Sequence, residues 1–268
     1  MIKTSKWASL ASLAILAMPL TLSAQDEAGA DEAPPPLSDI WMLVVKPGMQ
    51  AEFNAAMATH LAFRKDAGES RDWQAYRVSV GHNMKPIQFR SCCFNWADFD
   101  SHLAEAEEKG FGDHFNENVA QYVDHFHHYI DSTDWGNSHW PDEGTSGPYY
   151  AVTSWSNKQG RGPESNDAMG KMSQLAKDEG WAKDDNNWLW FSRAAGGDSV
   201  TALVSSYSNF ADMEPPEQSF YAFAVDKLGE VEADKMFADF AGGFDDSEYT
   251  IWLHDESLST AADEDTAD

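Results

Sequence analysis

Positive charge is what this chain has least of. Against 45 aspartates and glutamates stand 18 lysines and arginines, a formal charge of −27 over 268 residues. So acidic a surface repels nucleic acid and anionic lipid, which are bound by neutralising phosphates with Lys and Arg, and neither is expected as a partner. Cysteine is nearly as scarce, and the two present are adjacent, Cys92 and Cys93. Paired zinc cysteines are thereby excluded. Neighbours on a strand point to opposite faces, and a bond between them needs strained geometry. The pair reads as two small core residues, with a redox-active pair as the alternative. Long apolar runs are missing beyond the N-terminus. There, Lys3 and Lys6 flank Trp7 to Leu22, and Ser23-Ala24 precede Gln25, the pattern of a signal peptide over residues 1–24. The run is short of the roughly 20 apolar residues that a span requires, although an uncleaved anchor is the alternative. A periplasmic or secreted soluble protein is expected, off the membrane after cleavage. Also absent are a Ser/His/Asp elbow and a phosphate-binding glycine loop, and no cofactor is expected.

Residues 25–38 are acidic and Pro-rich, and residues 256–268 are an acidic tail, both with too little apolar surface to fold. About 215 residues remain, enough for one large or two small cores. Within them the chain repeats itself. Asp72-Trp73-Gln74-Ala75-Tyr76 lies over Asn187-Trp188-Leu189-Trp190-Phe191, and Asn95-Trp96-Ala97-Asp98-Phe99 lies over Asn209-Phe210-Ala211-Asp212-Met213. Two matched blocks at nearly equal spacing point to a tandem duplication. Its copies span 39–136 and 149–255, joined by a turn-rich linker at 137–148. In each copy a short strand leads to an apolar helical stripe: Met49, Phe53, Ala56, Met57, His60 and Leu61 in the first, Met169, Met172, Leu175 and Ala176 in the second. Hairpins are expected at Gly81 and Gly196-Gly197. A second helix should start near Asp98 and near Asp212, and a last strand closes each copy. The expected fold is α+β: two tandem ferredoxin-like βαββαβ repeats packed as an intramolecular α/β barrel.

Val44-Val45-Lys46-Pro47-Gly48-Met49-Gln50-Ala51-Glu52-Phe53 resembles the strand–Pro-Gly–helix opening of the dimeric α/β-barrel (ferredoxin-like) superfamily. That superfamily includes antibiotic-biosynthesis monooxygenase-like and NIPSNAP-like domains. Asp98-Phe99-Asp100-Ser101-His102-Leu103 is similar to its helix opening after the third strand, where a histidine often stands. The resemblance implies the fold. Activities within it range over cofactor-free oxygenases, isomerase-like enzymes, haem proteins and members without known catalysis, so function has to come from the site.

Strand aromatics Trp73, Tyr76, Phe89, Trp188, Trp190, Phe191 and Tyr207 form either core or the lining of a pocket for an apolar or aromatic ligand. His60, on the apolar stripe, suits a core hydrogen bond or a proton shuttle, and the resemblance adds His102 as a base. The stretch Asp124 to Asp131 ("DHFHHYID") reads as a helix end whose histidines cap free carbonyls, because a gapless match sets Phe126 on Phe240, next to Gly242-Gly243. Metal binding through His114, His125, His127 and His128 is a weaker alternative. The leading expectation is an exported protein, monomer or homodimer, that binds a small apolar or aromatic molecule. The alternative is a cofactor-independent oxygenase or isomerase-like enzyme with His60 or His102 as base.

Overall fold

The computed structural model describes residues 33–140, 147–182 and 186–260. The expected signal peptide, most of the acidic linker, residues 141–146 of the inter-repeat linker and residues 261–268 of the tail lie outside them. The first half runs β1 (Leu37–Val45), α1 (Gln50–Asp66), β2 (Gln74–Val80), β3 (Pro86–Phe94), α2 (Trp96–Glu108), α3 (Phe111–Asn118) and β4 (Val123–Thr133). The second runs β5 (Tyr149–Asn157), α4 (Gly162–Asp178), β6 (Leu189–Ala195), β7 (Val200–Tyr207), α5 (Phe220–Leu228), α6 (Glu230–Ala241) and β8 (Phe244–His254). The fold is mixed α+β, with eight antiparallel strands and six helices among the described residues.

The strands close in the order β1-β3-β2-β8-β5-β7-β6-β4. Taken by halves this is β4-β1-β3-β2 and β8-β5-β7-β6, the same order twice, joined where β2 pairs with β8 and β4 with β6. Each strand therefore has one face toward the barrel interior and one toward helices. That explains why β1 buries residues of both faces, among them Ser38, Asp39, Ile40, Leu43 and Val44.

Local chemistry sets the elements. Gly48, at φ +81°, makes the turn from β1 into α1. The α1 stripe then buries Phe53, Met57, His60 and Leu61. Full burial of Phe53 and of Ile87 beneath it contributes about 1.5–3 kcal/mol each. Asp98 accepts from the Asn95 amide at 2.7 Å and so starts α2. Gly196 combines φ +85° with a close approach to the His128 carbonyl of β4, which leaves no room for a side chain.

Several expectations are corrected. Each half has two helices, not one, between its third and fourth strands, because Gly110 (φ +69°) and Gly229 (φ +83°) break what was read as a single helix. "DHFHHYID" lies within β4 and caps no helix. The gapless match failed because the equivalent strands begin at Val123 and Phe244, a different offset from that of Phe126 on Phe240. Asp212 sits in a short 3-10 turn, and α5 starts later, where Ser219 Oγ accepts from the Ala222 amide. Cys92 and Cys93 are bonded to each other across a cis peptide, with Cα atoms 3.1 Å apart, and both line the barrel interior. The face-alternation rule used for them assumes a trans peptide. Leu37 and Ser38 already belong to β1, and Leu258, 1% exposed, packs into the first core.

Candidate active site

Between the sheet and the helices of the first half lies a cavity of about 770 Å³. Its floor is made by β1, β3 and β4 through Trp41, Phe89 and His128, with Trp73 from just before β2, and its walls by α1, α2 and α3 through His60, His102 and Phe111. That volume is within the about 300–1,000 Å³ common for small-molecule sites. Aromatic rings dominate the lining, and the polar groups fall into three sets.

The first set is centred on Asp39, 4% exposed on β1. Its Oδ2 accepts from Arg71 Nη1 at 2.6 Å, and its Oδ1 lies 2.7 Å from His128 Nε2. Arg71 is itself buried, with its guanidinium over Phe94 at 4.0 Å. His128 stacks on Trp41 with centroids 4.1 Å apart and planes within 10°. Since a carboxylate only accepts, His128 Nε2 carries the hydrogen and donates it to Asp39 Oδ1, which leaves the lone pair of the neutral ring on Nδ1. The histidine side chain is 40% exposed, against 5% for the carboxylate.

The second set joins His60 of α1 to His114 of α3, Nδ1 to Nδ1, at 3.0 Å. One ring donates and the other accepts. Burial, with Arg64 and His114 adding to it, lowers the His60 pKa to about 3, so the ring is neutral. Behind it Arg64 forms a two-pronged pair with Glu69, which also accepts from Trp73 Nε1 at 2.9 Å.

The third is His102 of α2. Burial lowers its pKa, and its Nδ1 is enclosed without a hydrogen-bond partner. The Glu105 carboxylate lies 3.7 Å from it.

The expected site residues are thus distributed unevenly. His60, His102, Trp73 and Phe89 do meet in this cavity. Tyr76 and Phe191 line a second cavity, of about 450 Å³, inside the barrel. Trp188 and Trp190 are core of the second half, and Tyr207 lines neither cavity. The four proposed metal ligands are not brought together. His114 is turned to His60, His128 to Asp39, His125 to its neighbour Asp124 at 2.7 Å, and His127 lies parallel to Tyr129. Among the described residues no group of three or more His, Cys, Asp or Glu side chains converges as a metal shell. Asp39 and Arg71 went unnoticed in the sequence. The available signal was an acid inside a strand that is apolar on both faces from Ile40 to Val45.

No protein-family model matches the sequence, and neither does any curated protein. Solved structures do share the fold. A candidate monooxygenase from Lactobacillus acidophilus superposes with a TM-score of 0.51 at 10% identity, over 85% of this chain and 100% of that one. An anthrone oxidase-like protein gives 0.48 at 10% identity over 85% and 97%, and a chlorite dismutase mutant from Candidatus Nitrospira defluvii gives 0.48 at 9% over 84% and 95%. At such identities likeness extends to the fold alone. The first of them is named for catalysis, which runs against the leading expectation of a protein that binds a small apolar or aromatic molecule.

Proposed function

We propose that this chain is an enzyme of the cofactor-independent oxygenase or isomerase-like kind, in which a cavity imidazole removes a proton from an apolar carbon acid. The observation that carries this reading is the Asp39–His128 pair at the cavity wall. Asp39 fixes the tautomer and, through Trp41 stacking, the plane of His128, so that Nδ1 presents its lone pair. Arg71 holds the second carboxylate oxygen and keeps Asp39 from turning. As the proton arrives, the positive charge forms beside a carboxylate and in a largely apolar surrounding.

His60 and His102 take other parts than the base. A conjugate acid with a pKa of about 3 makes His60 a weak proton acceptor at neutral pH. Its ring, hydrogen-bonded to His114, is a polar group at the cavity wall. His102 lines the same cavity, with its Nδ1 enclosed beside the Glu105 carboxylate. The resulting carbanion has two fates. Reprotonation at another carbon is isomerisation, whereas reaction with O2 converts CH2 into C=O and releases water. The fold fits this reading as a tandem ferredoxin-like repeat closed into one barrel, a reading supported by the identical strand order of the halves.

The test uses 2-tetralone, an apolar ketone with acidic α-protons, followed by NMR for deuterium exchange in D2O under nitrogen and by O2 uptake in air. Exchange faster than buffer is expected, falling about a hundredfold or more in His128→Gln. Asp39→Asn, which favours the wrong tautomer, should lower the rate and shift its pH profile. A rate equal to buffer, or full exchange in His128→Gln, ends the proposal. O2 uptake separates the oxygenase from the isomerase.

A further inference from the structure

An eight-stranded barrel is just wide enough for its side chains to fill it, or to hold one small molecule. Here about 450 Å³ stays open inside, on the opposite side of the sheet from the active-site cavity. Cys92 and Cys93 of β3, bonded to each other, are part of its wall. Phe89 and Ser91 just before them are 5% and 2% exposed, whereas both cysteines are only half-buried.

This bond does little for the fold. A disulfide stabilises chiefly by closing a loop of the unfolded chain, and the gain grows with the length of that loop. Here the partners are neighbours in sequence, so the bond restrains almost nothing that the backbone does not already restrain. Nor does either cysteine join the buried clusters on which the two halves are built. What remains is chemistry. A disulfide exchanges when a thiolate can reach one of its sulfurs. A cavity of this size admits a small thiol, while the closed ring of strands keeps out a large one. No free charge is involved, since Arg90 and Arg193 share Asp131 as their counter-charge.

We propose that the Cys92–Cys93 disulfide is a redox site, which takes two electrons from low-molecular-weight thiols admitted to the barrel interior. A thiol attacks as its thiolate, RS−. The RS–Sγ bond forms, the Sγ–Sγ bond breaks, and the released sulfur keeps the electron pair and takes the proton that the thiol gave up. A second thiol then attacks the RS sulfur, which frees the other cysteine as a thiol and leaves RSSR. The pair has gained two electrons and two protons, and two small thiols have become one disulfide. The site does not depend on the reaction proposed for the sheet–helix cavity.

The experiment treats the whole chain with 2-mercaptoethanol or with a poly(ethylene glycol) monothiol too large for the barrel. Alkylation by iodoacetamide and intact mass spectrometry then count the thiols, and with only two cysteines in the sequence every count belongs to this pair. Untreated protein should take no label. 2-Mercaptoethanol should give two labels on the folded chain at a rate within about tenfold of that in urea, and hydroxyethyl disulfide should restore the unlabelled form. The polymer thiol should match it in urea and be at least about a hundredfold slower on the folded chain. Ala202→Phe, which fills part of the same cavity, should slow 2-mercaptoethanol by about tenfold. Reduction should move the melting temperature of the parent by no more than about 4 °C. Circular dichroism checks that Ala202→Phe folds, and the polymer comparison on the parent carries the test if it does not. Labels without reductant, none after it, no return with hydroxyethyl disulfide, equal rates for polymer and small thiol, no slowing in folded Ala202→Phe, or a larger melting shift would each overturn the proposal.

Discussion

The two halves share a strand order and differ in what fills the layer between sheet and helices. In the first half that layer is hollow and edged with His60, His102, His125 and His128. In the second, Trp155, Trp190, Phe240 and Phe244 occupy it, with ring centroids 4.9–5.9 Å apart, and Met169, Met172 and Leu175 fill around them. Between Tyr149 and His254 the sole histidine is His254 itself. The contrast teaches a division of labour. One layer is filled by aromatic and aliphatic side chains, whereas the other stays open and carries buried polar groups along its edge.

Trp190→Ala should show the largest effect on stability. The ring is 6% exposed, touches Trp155 and Phe240, and donates to Ser173 Oγ at 3.1 Å. Its removal opens a void and strands a hydroxyl, at a cost of about 3–5 kcal/mol in urea unfolding. A loss under about 1 kcal/mol would mean that the second layer collapses easily and braces nothing.

In the open half the comparable loss comes from charge and not from volume. Asp39→Ala leaves the buried Arg71 guanidinium without its carboxylate and is expected to cost about 3 kcal/mol or more. The double variant Asp39→Ala with Arg71→Met should regain most of that stability while remaining inactive. If the single variant is as stable as the parent, the pair is solvated and the enclosed site is misdescribed.

A smaller effect follows from His60. Its folded pKa, about 3, lies below the unfolded value of 6.5, so between these values the unfolded chain holds a proton that the folded chain does not. Stability from this group is complete above pH 6.5 and declines as the pH falls toward 3. Between pH 7.5 and 5 the loss is about 2 kcal/mol. His102, lowered by the same cause, adds in the same direction. His60→Gln should flatten the fall relative to the parent by that amount. Parallel pH curves for the two proteins would show that His60 is not buried as a neutral ring.

Much of this framework was legible in the sequence. The α1 stripe follows from periodicity, and the turns at Gly48 and Gly196-Gly197 follow from φ > 0 needs that are local in the chain. So His60 could be placed on an inward face. The Asp39–Arg71–His128 cluster could not, since its members lie 32 and 89 residues apart and meet only once β1 and β4 pair. "DHFHHYID" misled because its alternation of Phe126, His128 and Ile130 toward the cavity is a strand signal, and a gapless repeat alignment overrode it. The second half has no counterpart of these histidines, and its layer between sheet and helices is filled by aromatic rings.

The smallest expected effect is the sharpest test of that last point. Leu103 of α2 borders the cavity and is 67% exposed. If the first layer is truly open, Leu103→Ala removes few contacts and changes unfolding free energy by no more than about 0.5 kcal/mol. The same position enlarged, Leu103→Trp, should also leave stability near that of the parent, because there is room for the ring. It should nonetheless slow the exchange of 2-tetralone by occupying the space the ketone needs. A destabilisation of about 2 kcal/mol in Leu103→Trp, the usual penalty for overpacking, would show that the first half is filled like the second.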